Sequence, residues 1–211
     1  MKDFPLFTTE HGVATVILRE IPYTRCGYIH IRSSLNVEKL VEDCTEFCRM
    51  AGAESVFAAG DGLDAYPEHC RIVTMQCSRE QIADTDACLF PVTEKTISQW
   101  KNYYNRAMAQ IPNAAWMTDQ DAAQMLELGD GYFVHADGKL LGIGKASCDT
   151  IDAIVSLEKG QGETVVKALC HALHADVVKL EVASTNERAI KLYQRMGFLQ
   201  TGERIRWHRV L

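Results

Sequence analysis

The chain has 211 residues, 47% of them hydrophobic and 24% charged, with a formal net charge of −6. That is the composition of a globular protein with room for one large core or two small ones, and its acidic balance excludes a general nucleic-acid binder, which needs a basic face. No run is apolar enough to span a membrane, and Met1-Lys2-Asp3-Phe4-Pro5 lacks the apolar stretch of a signal peptide, so the expectation is a cytoplasmic protein whose 8 cysteines stay free.

Residues 13–18 and 28–32 read as strands, the second by its alternation. Leu40, Val41, Cys44, Phe47, Cys48 and Ala51 share one helix face, closed by Gly52. Residues 55–59 form a short apolar strand, broken by Gly60-Asp61-Gly62, and residues 71–77 alternate as another. Residues 78–86 are a polar connection, and residues 87–92 open a second set of elements with a strand. Ile97, Trp100, Tyr104, Met108 and Ile111 mark a helix ended by Pro112; residues 122–128 mark another, stopped by Gly129. Two strands, 132–135 and 140–145, flank the hairpin turn Ala136-Asp137-Gly138-Lys139. Gly142 and Gly144 sit inside a strand pattern and predict close packing or a bulge.

The last quarter is one connected device. Strand 151–155 leads into Leu157-Glu158-Lys159-Gly160-Gln161-Gly162, then a helix over 163–174 with Val165, Val166, Leu169, Ala172 and Leu173 on one face. A helix that starts just after glycines aims its free N–H groups and its dipole at whatever lies in front, and favours an anion there. A strand follows over 177–182. A second helix carries Ala189, Leu192, Tyr193 and Met196, with Ser184 and Glu187 at the spacing of a capping box and Gly197 as its stop. The tail alternates Ile205, Trp207 and Arg209 with Arg206, His208 and Val210, which predicts a strand with a solvated basic face. Cys170, His171 and His174 predict helix surface rather than a metal site, since no third ligand cluster completes one.

Asn186-Glu187-Arg188-Ala189-Ile190-Lys191-Leu192-Tyr193-Gln194-Arg195-Met196-Gly197-Phe198 resembles the N-x-x-A-x-x-x-Y-x-x-x-G-F signature of the GCN5-related N-acetyltransferases, and the loop upstream resembles that family's Q/R-x-x-G-x-G/A motif. Leu157 stands where the family has Gln or Arg. The resemblance implies an α/β (α+β) fold with a central mixed, mostly antiparallel twisted sheet flanked by helices. It implies acetyl-CoA as cosubstrate and an amine acceptor, on a monomer or homodimer that engages neither nucleic acid nor membrane. The two helices after the first strand of the second set would then help form the acceptor pocket. Residues 85–211 would be the acetyltransferase domain. Residues 1–84 echo its strand–helix–strand order, but Ser33-Ser34-Leu35-Asn36 has no glycine where the cofactor loop would be, so this degenerate half-domain is expected to bind no cofactor.

Acetyl transfer to an amine sets three chemical needs. An anionic cofactor must be held, for which the backbone of Lys159, Gly160, Gln161, Gly162, Glu163 and Thr164 is the candidate. A thioester carbonyl must be polarised, for which amides at Val155 and Leu157 are the candidates. Protons must move: a lysine-like amine has a pKa of about 10.4 and must lose a proton, and the departing thiolate must gain one. Tyr193 is the predicted donor, and Asn186 bonds the cofactor arm or the neighbouring strand, or is a second cap of its helix. Asp149, Asp152, Glu181 and a water relay remain alternatives for the base. A non-catalytic sensor that binds CoA or acetyl-CoA is the second function class, and transfer of a longer acyl group a third.

Overall fold

The computed structural model describes residues 5–211 and contains eleven strands and six α-helices among them. The chain folds into two compact units: residues up to Ile72 together with Glu203–Leu211, and Val73–Gly202. This division differs from the expected boundary at 84/85. The chain crosses from one unit to the other inside a strand rather than in the polar stretch 78–86, and its tail belongs to the first unit.

The first unit contains β1 (Leu6–Thr9), β2 (Gly12–Ile17), α1 (Ile21–Thr24), β3 (Cys26–Ser34), α2 (Val37–Met50), β4 (Ser55–Ala59) and the start of β5 (Glu68–Ser78). β1, β2 and β3 are antiparallel neighbours, and β3 pairs with β4 in parallel. The tail supplies β11 (Leu199–Arg209), whose His208 and Arg209 lie antiparallel to Ala58 and Phe57. The apolar stripe of α2 packs on this sheet through Leu40, Val41, Cys44 and Cys48, with Ile29 and Val56 beneath. The other face gathers Tyr28, Phe57 and Trp207. His208, expected on a solvated face, is buried instead, with Nδ1 2.9 Å from the Tyr66 carbonyl oxygen. A carbonyl can only accept, so that nitrogen carries the proton.

The second unit contains β6 (Cys88–Pro91), α3 (Ile97–Met108), α4 (Asp119–Leu128), β7 (Gly131–Ala136), β8 (Lys139–Ser147), β9 (Thr150–Ser156), α5 (Gly162–Ala172), β10 (Val177–Ala183) and α6 (Glu187–Arg195). Its strands lie in the order β5-β10-β9-β8-β7-β6. All described pairings are antiparallel except β9 with β10. Helices flank this mixed sheet, as expected. The turn between β7 and β8 places Asp137 and Gly138 at φ of 50° and 72°, the left-handed pair a tight hairpin needs. α5 packs on β8 at two glycines: a Cβ on Gly144 would meet Leu169 at 2.3 Å, and one on Gly142 the Val155 carbonyl oxygen at 2.4 Å. Close packing and a bulge, the two expected alternatives, both occur: the β7–β8 register also shifts beside Gly142, where Val134 faces Gly142 and His135 faces Leu140. On the opposite side, Trp100 of α3 is fully buried beside Ile143 and Val155 and donates Nε1–H to the Tyr132 carbonyl oxygen at 3.0 Å.

Candidate active site

β9 and β10 pair only where Thr150 and Ile151 meet Lys179 and Leu180. Beyond that point they diverge, and a cleft of about 840 Å³ opens. β9 contributes Ile154 and Ser156, the following loop Glu158, Lys159 and Gly160, and α6 the wall from Asn186 to Arg195.

The loop and the start of α5 form one end of the cleft. Gly160 has φ of +88°, and no atom lies within 4 Å of where its Cβ would be. Backbone conformation, not crowding, is what calls for glycine here. Gly162 does a different job: a Cβ there would lie 3.1 Å from Leu192, so its absence lets α6 approach. The first intrahelical bond of α5 runs from Val165 N–H to the Gln161 carbonyl at 3.0 Å, and Gln161 provides no side-chain cap. The amides of Gly162, Glu163 and Thr164 therefore lack a helical acceptor. Around them, Glu163 pairs with Lys167 at 2.8 Å and Glu187 with Lys191 at 3.2 Å. Lys159, Arg188 and Arg195 line the same cleft and form no ion pair among the described residues. Among the described residues Glu158 is the carboxylate of the lining that has no ion pair, so the uncommitted charge of the cleft is net positive.

Of the residues expected at the site, Leu157, Lys159, Gly160, Gly162, Glu163, Asn186 and Tyr193 line this cleft. Gln161 and Thr164 do not; the Thr164 hydroxyl is 3.0 Å from the Gln161 side-chain oxygen. Val155 is buried and borders a different groove. Neither expected carbonyl-polarising amide is free to act. Leu157 N–H donates to the Leu141 carbonyl at 2.9 Å, and Val155 lies two residues earlier in the same register, opposite Ile143. Antiparallel pairing alternates, so both amides face β8. The amides turned to the open side belong to Ile154 and Ser156, both in the cleft wall. The alternation was legible in the sequence; its phase was not, because phase depends on which neighbour claims Leu157.

The start of α6 also differs from expectation. Asn186, not Ser184, is the N-cap, and its Oδ1 accepts from Ala189 N–H at 3.2 Å. A bond from Asn186 N–H to the Ala183 carbonyl at 2.9 Å tightens the turn after β10 and starts the helix two residues late. The Asn186 side-chain Nδ2 faces the cleft with no partner among the described residues.

Tyr193 is 7% exposed, its ring 5.9 Å from that of Phe198. Burial pushes its pKa up to about 12. The phenol therefore stays protonated throughout the neutral range, as a proton donor must. The carboxylates considered as bases lie elsewhere. Asp149 is 2.6 Å from Lys179, whose hydrogen bond holds its pKa below the usual carboxylate range. Asp152 is 2.8 Å from Lys145, and Glu181 does not border the cleft.

A second groove, of about 620 Å³, is lined by Tyr103 and Arg106 of α3, Lys139 and Leu140 of β8, and Val155 to Glu158. It shares Ser156, Leu157 and Glu158 with the cleft. The end of β9 thus has a cavity on each side. Of the two helices expected at an acceptor pocket, α3 borders this groove.

Cys170, expected on the helix surface, is buried, and burial pushes its thiol up to about 12. Arg79 caps the end of α5 through the carbonyls of Cys170 and Leu173, and His171 Nδ1 is 3.2 Å from the same guanidinium. Among the described residues no group of three His, Cys, Asp or Glu could hold a metal, and no helix is long and apolar enough to cross a membrane.

No family model and no curated protein matches the chain. Solved structures do. A conserved protein of unknown function from Staphylococcus epidermidis superposes with a TM-score of 0.62 at 13% identity, over 98% of this chain and 93% of that one. A GCN5-related N-acetyltransferase from Kribbella flavida gives 0.59 at 10%, over 96% and 58%. An acetyltransferase of the same family from Colwellia psychrerythraea gives 0.54 at 14%, over 97% and 84%. The chain has the fold of the GCN5-related N-acetyltransferases, the class that residues 186–198 resemble.

Proposed function

We propose that this protein is an acetyl-CoA-dependent N-acetyltransferase acting on a primary amine of a small molecule or protein. One observation carries the reading: the uncapped start of α5, behind the left-handed turn at Gly160, opens into the same cleft as three unpaired cations and a buried, protonated phenol. That combination fits a pyrophosphate at one end and a leaving sulfur at the other.

When bound, acetyl-CoA supplies an activated acetyl group as a thioester. The amides of Gly162 and Glu163 receive its pyrophosphate, with Lys159 and Arg188 adding charge. Ile154 and Ser156 present the open edge of β9 to the amide-bearing arm and the thioester carbonyl, in place of Val155 and Leu157. Tyr193 holds the proton that the departing thiolate takes. The amine enters from the groove beside α3, across Ser156 and Glu158, and its excess proton leaves through water or the Glu158 carboxylate, since Asp149, Asp152 and Glu181 stand outside the cleft.

A second reading keeps support from two features. Leu157 packs with the apolar cluster around Trp100, where the family motif has a polar side chain, and none of the three carboxylates considered as bases has been drawn into the cleft. Both would suit a sensor that binds CoA without turnover. Thermal-shift titration with acetyl-CoA and CoA, followed by thiol release with a panel of amines, separates the cases. The enzyme gives stabilisation and release; the sensor gives stabilisation alone; no stabilisation by either ligand rejects both.

We also propose that residues 1–84 represent a degenerate half of the same kind, and that the protein works in the cytoplasm. Free thiols throughout the described chain support a reducing compartment.

A further inference from the structure

The first unit carries a cavity of about 520 Å³ that is independent of the transferase reading. Its origin is topological. β4 ends at Ala59, where Gly60, Asp61 and Gly62 turn the chain away with φ of 134° and 81° at the two glycines. Its neighbours run on. β3 pairs with β4 only from Cys26 to His30 and continues to Ser34. β11 meets β4 at His208 and Arg209, so Glu203, Arg204, Ile205 and Arg206 lie past the end of β4. Between these two extensions the sheet lacks one strand among the described residues.

A one-strand gap leaves flanking backbones about 9–10 Å apart, with alternate residues directing N–H and C=O inward except at Arg32, where β3 bulges against β2. Such edges are unsatisfied unless water or another chain pairs with them. The end of the gap is firmly built: a Cβ on Gly60 would lie 2.8 Å from that of Ile31. The lining carries both signs of charge. Arg206 is committed to Glu203 at 3.1 Å. Arg32 gives its Nε to Thr15 Oγ1 at 2.9 Å but forms no ion pair among the described residues, and neither do Asp61 and Asp64.

We propose that this gap binds a short zwitterionic peptide in extended form. Its main chain pairs with β3 on one side and β11 on the other, Asp61 and Asp64 meet its ammonium group, and Arg32 meets its carboxylate. An extended amide chain is the ligand that offers donors and acceptors at strand period on both sides; a free amino acid offers the charges alone. At about 3.3 Å per residue, the edge past Ile31, which Gly60 already covers, accommodates about three residues.

The test uses the full chain without acetyl-CoA, so its outcome is separable from that of the transferase reading. Tri-alanine, free alanine and an N-acetylated tri-alanine amide are titrated by calorimetry, with backbone NMR shifts reporting the place. Tri-alanine is expected to bind at about 1 mM or tighter, with shifts at residues 31–34, 60–64 and 203–206. The capped peptide and the Asp61→Asn/Asp64→Asn variant should each bind about tenfold more weakly. Both aspartates are exposed, and an unchanged melting temperature of the variant verifies its fold. Absence of binding by tri-alanine at about 10 mM overturns the proposal. So does free alanine binding as tightly as tri-alanine, full binding by the variant, or shifts confined to the α5–α6 cleft.

Discussion

The chain builds a parallel strand pair with a crossover helix twice, as β3–α2–β4 and as β9–α5–β10, and the two crossovers treat their helix starts in opposite ways. Before α2 stands Ser33-Ser34-Leu35-Asn36. The Leu35 and Asn36 amides donate to the His11 carbonyl at 2.9 and 3.2 Å, and the Asn36 side chain accepts from Lys39 N–H at 3.1 Å. Before α5 stand Gly160 in the left-handed region and a Gln161 that caps nothing. Both strand pairs end in a cavity, but only the second presents open helix amides to it. A shared strand–helix–strand order therefore does not determine ligand chemistry. Whether the helix start is closed by its own chain or left for an anion does.

Four changes probe this contrast, beginning with the largest. Tyr193→Phe is expected to lower the acetyl-transfer rate constant by about 100-fold while leaving acetyl-CoA binding intact, as loss of a proton donor should. Steady-state kinetics beside calorimetry checks it; an unchanged rate constant removes Tyr193 from the chemistry. Gly144→Ala should destabilise the second unit by about 2 kcal/mol, because its Cβ would meet Leu169 at 2.3 Å. The counterpart beneath α2, Gly27→Ala, should cost less, since its nearest neighbour is Cys48 Sγ at 2.9 Å. Urea unfolding of the pair ranks them.

Gln161→Asp would give α5 the kind of cap α2 already has. It should stabilise the free protein by about 0.5–1 kcal/mol and weaken acetyl-CoA binding about tenfold, by competing for the same amides with a negative charge. Thermal melts with and without ligand read both effects, and a variant that binds acetyl-CoA as before would sink the helix-start assignment.

The smallest effect at neutral pH concerns two buried phenols, one in each unit. Burial raises Tyr193 to about 12 and raises Tyr28 as well, both above the ordinary value of about 10. The unfolded chain therefore ionises first. Stability from these groups is intact below about pH 10 and is lost as pH rises from there through about 12 for Tyr193. Denaturant melts between pH 8 and pH 12 should show that decline, and Tyr193→Phe should make it shallower; an identical decline in the variant would argue against the burial effect.

Much of the second unit was legible because its signals are local. Gly129, Gly138, Gly160 and Gly197 fall where φ is positive, and the hydrophobic periods of α5 and α6 match their buried faces. The misreadings share another cause. Ser184 and Glu187 have the right spacing for a cap, but the hydrogen bond from Asn186 to Ala183 starts the helix later. Cys170 and His208 carry polar labels but occupy positions that the sheet buries. Val155 and Leu157 lie one strand phase away from the open edge.

The order of elements from β6 onward, the glycine turn ahead of α5 and the likeness of residues 186–198 to an acetyltransferase helix were written in the amino acids, because periodicity, capping and left-handed turns depend on near neighbours; β1 and α1, too short to show a period, were not. Three things came only with long-range packing: which β9 amides stay open, which cations remain unpaired, and that β4 stops short of both its neighbours. Each of those is set by a partner strand or helix distant in sequence, and hydrogen-bond alternation and ion pairing acquire their direction only once that partner is in place.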